Sequence, residues 1–360
     1  MKILFLSIYS GHYQRGMETV VQELAMELGK RQHKVMVLQG GPIRKGFQDF
    51  ETRSLAWRLK WPKINNTGFL RKLFLDYYSR QILGFSLKAF RQIKLFKPDI
   101  LIPANGGWQS LLAKLYCGLT KARLVIMGQA GLGWDDRWNL KMKPDLFVAL
   151  SKRNSRWARE HSFSQQKIVV IPNGVNLVKF KPTGLKLPLN LLRPTVLCVA
   201  GSEKYKRVKE TIMAVAQLKR GSLLLVTQSS TYDKFGKEVL GKRFLRKRFT
   251  HEEMPCVYRS ADIFTLVSES SEAFGIVYLE AMASKLPIVA TDDFLRREII
   301  GPAGLYIKSP QNSLLYAQKL QQALRREWGS LAAKRVKKFS WVKIASSYEK
   351  AFNQLYEKIN

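Results

Sequence analysis

The sequence predicts an α/β fold with two doubly wound domains, each a parallel sheet covered on both faces by helices. Three observations lead there. The chain has 360 residues, more than one ordinary hydrophobic core sustains. Short runs that are apolar throughout alternate with segments of helical period, the pattern of parallel strands buried on both faces. The series then stops and restarts across "PTGLKLPLNLLRP", residues 182–194, which has three prolines and no period and reads as a linker.

In the first series the strand candidates are "KILFLSI" (2–8), "KVMVLQG" (34–40), "DILIPA" (99–104), "RLVIMGQ" (123–129), "LFVALS" (146–151) and "IVVIPN" (168–173). Between the first two, Met17, Val20, Val21, Leu24 and Leu28 recur at the spacing of an amphipathic helix. The second series holds "TVLCVAG" (195–201), "SLLLVTQ" (222–228), "IFTLVS" (263–268) and "PIVATD" (287–292). Ile344, Tyr348, Ala351, Phe352 and Leu355 predict a further helix over 341–360. The expected division is therefore 1–175, 176–340 and a returning helix at 341–360. In such sheets ligands bind beyond the carboxyl ends of the strands.

Composition sets the outer bounds. Hydrophobic residues make up 46% and charged residues 24%, ordinary for a globular protein, so global disorder is excluded. No apolar run approaches the ~18 residues a membrane span requires. The opening "MKILFLSIYSG" reads as a first strand rather than a signal peptide. Cys117, Cys198 and Cys256 are scattered without metal spacing, and an odd number argues against a disulfide framework, so a cytoplasmic setting is expected. The charge is exceptional: 61 Lys and Arg against 27 Asp and Glu, a formal net of +34, which implies a polyanionic partner. Residues 53–97 carry eleven of these cations, one acid (Asp76) and nine aromatics; a second cluster is "GKRFLRKRF", 241–249.

Residues 270–293, "SSEAFGIVYLEAMASKLPIVATDD", combine a strand exit, a polar loop and a helix opened by Gly275. The free N–H groups and positive dipole end of such a helix attract phosphate. Glu272 lies in the loop, and Glu280, read as two turns into the helix, is placed to accept hydrogen bonds from a ribose diol. An isolated pair of glutamates at this spacing is more often a solvated face; the strand–loop–helix context favours a site. Preceding a helix in the same series, "VAGSEKYKRVKE" offers Lys206 as a cation for a diphosphate leaving group, where a fixed ammonium acts most strongly in the transition state.

The longer stretch "YRSADIFTLVSESSEAFGIVYLEAMASKLPIVATDDFLRREIIG" closely resembles the donor-site signature of the family 4 retaining glycosyltransferases, which have the GT-B fold. "RGMETVVQELAMELGKRQHKVMVL", "IVVIPNGVNLVKFKP" and "FSWVKIASSYEKAF" resemble, in order, that family's first glycine loop and helix, its interdomain segment and its closing helix. The resemblance implies two Rossmann-like domains facing across a cleft, the closing helix returning to the first. It implies that Glu272 faces the donor sugar, that Glu280 holds the nucleotide ribose, and that the amides of Phe274, Gly275 and Ile276 contact the diphosphate. Lys206 matches the family's lysine, whereas Gly201 stands where an arginine is expected, leaving Arg207 or Lys204 to supply the second cation. In "YSGHYQRGMETV" Arg15 replaces the first of a glycine pair, and Gly16 is expected to let the donor approach; His12 could touch the reacting sugar, but a lone loop histidine is more often solvated. Gln129 stands where the family places a histidine against the donor sugar, and its amide can hydrogen-bond a hydroxyl but takes up no proton at neutral pH. Asp135 and Asp136 follow it, where they could face the acceptor, and a loop or capping role is favoured for both.

No cofactor and no metal are expected: four scattered histidines and the two Asp pairs form no ligand cluster. Phe69, Leu73, Phe74 and Tyr77 are read as one helical face with Arg71, Lys72 and Arg80 beside it, suited to an anionic membrane interface, with Trp57 and Trp61 in the headgroup layer. No nucleic-acid motif accompanies the basic patches. The expected activity is therefore retaining, metal-independent transfer of a hexose from a nucleotide sugar to a glycan or lipid-linked acceptor, in glycan or polysaccharide biosynthesis at the cytoplasmic face of a membrane. The alternatives are a GT-B sugar synthase or phosphorylase with a small soluble acceptor, or a catalytically silent GT-B scaffold binding anionic glycan, membrane or RNA.

Overall fold

In the computed structural model, residues 1–13, 15–43, 49–59, 69–163 and 166–357 are described. They fall into two units, Met1–Asn173 with Trp341–Asn360, and Gly174–Ser340. The first unit carries strands β1 (Lys2–Ser7), β2 (Lys34–Gln39), β3 (Glu51–Ser54), β4 (Ile100–Pro103), β5 (Arg123–Met127), β6 (Leu146–Ala149) and β7 (Ile168–Val170). All pair in parallel in the order β3-β2-β1-β4-β5-β6-β7. Parallel neighbours need a crossover, and the helices between strands supply it, covering both faces. Strand order reverses between β1 and β4, where Ile3 pairs with Ile100. Leu4, Leu6, Leu101, Leu124 and Ile126 form the core on one face, against Phe85, Ala89 and Ile93 of the helix Tyr77–Phe96.

The second unit carries β8 (Thr195–Val199), β9 (Ser222–Val226), β10 (Phe244–Lys247), β11 (Ile263–Leu266), β12 (Ile288–Thr291) and β13 (Leu305–Ile307), again all parallel, in the order β10-β9-β8-β11-β12-β13. Here the order reverses between β8 and β11, with Val196 opposite Ile263. Each unit is thus a doubly wound, Rossmann-like parallel sheet.

Trp341–Tyr356 is helical and belongs to the first unit. Its buried face is Trp341, Ile344, Ala345, Tyr348, Ala351, Phe352 and Leu355. It lies against the helix Gly16–Lys30 and is tied there by Glu349, which accepts from Arg31 (2.9 Å) and pairs with His33 (3.1 Å).

Three expectations change. Residues 182–194 have no helix or strand, yet they belong to the second unit rather than linking the two. The Leu187 amide donates to Ser260 Oγ (2.6 Å), and Arg193 pairs with Asp262. The basic cluster 241–249 contains the edge strand β10, and part of its charge is used internally. Arg246 holds Asp233 bidentately, while Arg243 donates to the carbonyls of Gly221, Val215 and Leu218. The single helix expected across 69–80 is broken. A short turn Phe69–Lys72 ends before Phe74, whose φ is +55° and whose ring is buried, and Asp76 caps a new helix by accepting from the amides of Tyr78 and Ser79.

Candidate active site

The second unit gathers its candidates at the carboxyl ends of β8 and β11, beside the reversal of strand order, where such sheets bind ligands. The segment after β8 makes a short 3-10 turn, Lys204–Lys206, and the loop after β11 runs from Val267 to Gly275. The two are stitched together. The Glu269 amide donates to the Tyr205 carbonyl (2.8 Å), Arg207 Nε lies 3.5 Å from Glu269 Oε1, and Lys206 Nζ donates to Glu272 Oε2 at 2.5 Å. Both members of the last pair are largely buried, with side-chain exposures of 14% and 11%. Burial alone disfavours the Lys206 ammonium, but the Glu272 carboxylate outweighs it and holds the lysine above its ordinary range. Lys204, one turn away, points to solvent. Lys206, Glu272 and Arg207 are thus brought together, and Lys204 is not.

Gly275 caps the helix Ile276–Ala283 with φ +89°. A Cβ there would meet the Tyr278 ring at 2.6 Å, so glycine is demanded by backbone and space alike. Among the described residues, the amides of Phe274, Gly275 and Ile276 donate no hydrogen bond. That leaves a row of donors at a helix start, where an anion is favoured. The Phe274 ring itself is core, packed on Phe339.

Glu280 is the fifth residue of the same helix, a little over one turn in rather than two. It is only 7% exposed. Its Oε2 accepts from the Tyr258 hydroxyl at 2.6 Å, and among the described residues its Oε1 takes no hydrogen bond. Burial pushes its pKa up to about 7, with the Tyr258 hydrogen bond pulling the other way.

Two residues of this region escaped the sequence reading: Tyr258 and Arg296. Arg296 is fully buried and donates to the carbonyls of Ser268 (3.1 Å) and Glu269 (2.9 Å) and to Ser268 Oγ (2.5 Å), while Asp293 neutralises it at 2.6 Å. It pins the start of the loop that carries Glu272. The available signal was Asp293 as a helix cap three residues before an arginine.

The first unit has its own cavity, about 550 Å³, beyond the ends of β4 and β5 and lined by Tyr9, Arg15, Tyr78, Trp108, Gln129 and Asp136 among others. Gln129 is committed: its Nε2 donates to Asn173 Oδ1 (2.7 Å) and its Oε1 accepts from Asn173 Nδ2 (3.0 Å). Asp136 is 3% exposed. Burial pushes its pKa up to about 7, although Asn139 and the amides of Ala130 and Gly131 hydrogen-bond the carboxylate. Gly16 opens its helix and is exposed, and the N-terminus is capped by Arg15 and Glu18, the Arg15 guanidinium lying 4.9 Å from the Tyr9 ring centroid. His12 is half-buried, and its Nε2 lies 2.8 Å from the Trp57 carbonyl.

Of the proposed surface residues, Arg71 and Lys72 are exposed, with Arg71 at 3.5 Å from Asp135. Beside them Phe69, Leu70, Leu73 and Leu75 are 74%, 58%, 46% and 46% exposed. Trp57 does not fit a headgroup layer: its indole is half-buried against Phe85, and its Nε1 donates to Gln81 (3.0 Å). Trp61 lies outside the described residues. Among the described residues no helix is long and apolar enough to cross a membrane, and no three His, Cys, Asp or Glu side chains group as metal ligands.

Residues 14–179 match the family described as Glycosyltransferase Family 4, and residues 193–326 match Glycosyl transferases group 1. A phosphatidyl-myo-inositol mannosyltransferase of Mycobacterium leprae is 25% identical over 219 residues, 57% of this chain and 58% of that protein's length. Sucrose-phosphate synthase from Thermosynechococcus elongatus superposes with a TM-score of 0.82 at 20% identity, over 99% of this chain and 100% of that one. HepE of Anabaena, solved in complex with UDP and glucose, superposes with a TM-score of 0.70 at 18% identity, over 98% and 99%. With two parallel Rossmann-like sheets and family matches over both, this chain belongs to the group 1, family 4 glycosyltransferases of GT-B fold.

Proposed function

We propose that this glycosyltransferase moves a hexose, with retention and without a metal, from a nucleoside-diphosphate sugar to a hydroxyl of a glycan or lipid-linked acceptor. The observation that carries the reading is the grouping at β8 and β11 in the second unit: three undonated amides, the buried Lys206–Glu272 pair and a buried glutamate with one unused oxygen. The diphosphate takes the amides of Phe274, Gly275 and Ile276 together with Lys206 and Arg207. The pentose diol takes Glu280, and Glu272 turns from Lys206 towards the sugar hydroxyls. The bond from the anomeric carbon to the diphosphate breaks, the acceptor oxygen bonds that carbon on the same face, and the acceptor proton passes to the departing diphosphate. Amides and ammonium already in place then stabilise the new negative charge without reorganisation.

Support for a nucleotide sugar comes from HepE, solved with UDP and glucose, and for a lipid-linked acceptor from the mannosyltransferase whose name specifies phosphatidyl-myo-inositol. The cavity of the first unit suits the acceptor: Tyr9, Tyr78 and Trp108 offer faces for a sugar ring, and Asp136 a carboxyl for its hydroxyls. The net charge of +34 and the exposed Phe69, Leu70, Leu73 and Leu75 beside Arg71 and Lys72 favour attachment to an anionic membrane, on its cytoplasmic side. The test is a panel of UDP-, GDP- and ADP-sugars, scored for slow hydrolysis without acceptor. Hydrolysis of one member, lost in Glu272→Ala and Lys206→Ala, is expected; no turnover and no binding across the panel would remove the reading.

A further inference from the structure

The Glu280–Tyr258 contact goes beyond binding the pentose. Tyr258 sits on the helix Met254–Ser260, packed with Phe180 and Phe264, and is itself fully buried. Its hydroxyl has a single proton to give, and the acceptors within reach are Glu280 Oε2 at 2.6 Å and the Val277 carbonyl at 3.4 Å, so Glu280 takes it. One carboxylate oxygen is thereby fixed and the other left without a partner among the described residues, although the side chain is more than nine-tenths buried. Oε1 is therefore the oxygen able to accept from a ligand. Among the described residues Tyr258 is the titratable group that acts on Glu280, and Cys198 of β8 acts on Tyr258 in turn.

We propose that Tyr258 is a positioning residue for nucleotide recognition, its hydroxyl fixing one oxygen of Glu280 so that the other is presented to the vicinal hydroxyls of the pentose. The inference rests on the reading that a nucleoside diphosphate lies at Glu280. It has a second consequence. The hydroxyl favours the ionised carboxylate, the form able to accept from both pentose hydroxyls, so nucleotide affinity rises as Glu280 loses its proton near neutral pH. Removing the hydroxyl moves that rise to higher pH.

The experiment measures affinity of the full chain for UDP, GDP and ADP and for their 2′,3′-dideoxy forms, from pH 5.5 to 9. In Tyr258→Phe the best ribonucleotide is expected to bind about tenfold more weakly at pH 7, equivalent to about 1.4 kcal/mol. Its preference over the dideoxy form should shrink by the same factor, and both losses should narrow towards pH 9. A purely structural tyrosine would weaken the two nucleotides equally at every pH, and that outcome overturns the proposal. Incorporating 3-fluorotyrosine at position 258, which keeps the ring and strengthens the donor, should move the rise to lower pH, so the proposal stays falsifiable if the phenylalanine variant folds poorly. Glu280→Gln separates the two levels. If it leaves ribonucleotide affinity unchanged, the underlying nucleotide reading fails; if it weakens binding while Tyr258→Phe matches the parent at every pH, the positioning role alone fails.

Discussion

Lys206 Nζ and Glu272 Oε2 lie 2.5 Å apart, so the cation assigned to the leaving group and the carboxylate assigned to the sugar neutralise each other before any substrate arrives. Removing one partner strands the other, largely buried and unpaired, which is costly. Glu272→Gln lets burial dominate at Lys206 and lowers its pKa relative to the parent. The alkaline limb of the pH–rate profile should therefore move to lower pH in Glu272→Gln, while Lys206→Ala loses on the order of 100-fold in kcat. A double-mutant cycle on donor hydrolysis checks this; strict additivity would show that the two act independently.

Glu280 makes the fold pH-sensitive in a direction opposite to most carboxylates. Its pKa is raised by burial to about 7, against about 4.3 for an unfolded glutamate. Below pH 4 both states are protonated and nothing is lost. As pH rises from about 4.3 to 7 the unfolded chain releases its proton first, so this group's contribution falls, by about 3 kcal/mol at the upper end. Glu280→Gln should raise Tm at pH 8 and leave it nearly unchanged at pH 4. Equal effects at both pH values would contradict the assignment.

Gly275→Ala should fold less stably, by about 1–3 kcal/mol, because φ +89° and the Tyr278 ring at 2.6 Å both oppose a methyl group. Nucleotide affinity should fall further than stability does, since the turn aims the amides of residues 274–276. Calorimetry and thermal denaturation on the same variant separate the two losses.

Arg296→Met removes the guanidinium from Ser268, Glu269 and Asp293; Thr291 Oγ1 and the Glu272 amide still donate to the two carbonyls, but Asp293 Oδ2 loses its cation. A loss of about 3–5 kcal/mol is expected. Amide exchange should quicken in residues 267–272 more than in β8 or β9; uniform acceleration would mean that the loop is not specifically held.

Charge reversal of Arg71 and Lys72 should weaken co-sedimentation with anionic vesicles, and so should added salt, each lost cation subtracting about 1 kcal/mol. Replacing Trp57 should act on stability instead, because its indole is bonded to Gln81 within the fold. Indifference of binding to both charge and salt would eliminate the membrane surface.

The two sheets were legible because strands buried on both faces leave apolar runs that need no partner to be recognised. β3, β10 and β13 were missed for the opposite reason: they are short edge strands, β3 and β10 carry charged residues in "ETRS" and "FLRK", and β13, "LYI", is only three residues long. The break at Phe74 was hidden by an apolar period running straight through it, although Asp76 preceding Ser79 is a capping signal that outranks periodicity. Glu272, Gly275 and Glu280 stood out because they sit in one continuous segment. Tyr258 and Arg296 act on that segment from other helices, and a fully buried arginine is so rare that no reading of a single sequence would choose it. Likewise Gln129 reads as a free amide until Asn173, 44 residues on, is seen to use both its ends.

The helix Trp341–Tyr356 completes the first unit, yet it leaves the ribosome only after all of the second has been made. The nascent amino-terminal sheet must therefore wait with the helix Gly16–Lys30 uncovered where the closing helix will pack, while Gly174–Ser340 has every element it needs beforehand. Folding order is thus expected to run against chain order, and fragments cut before Trp341 should be prone to aggregate.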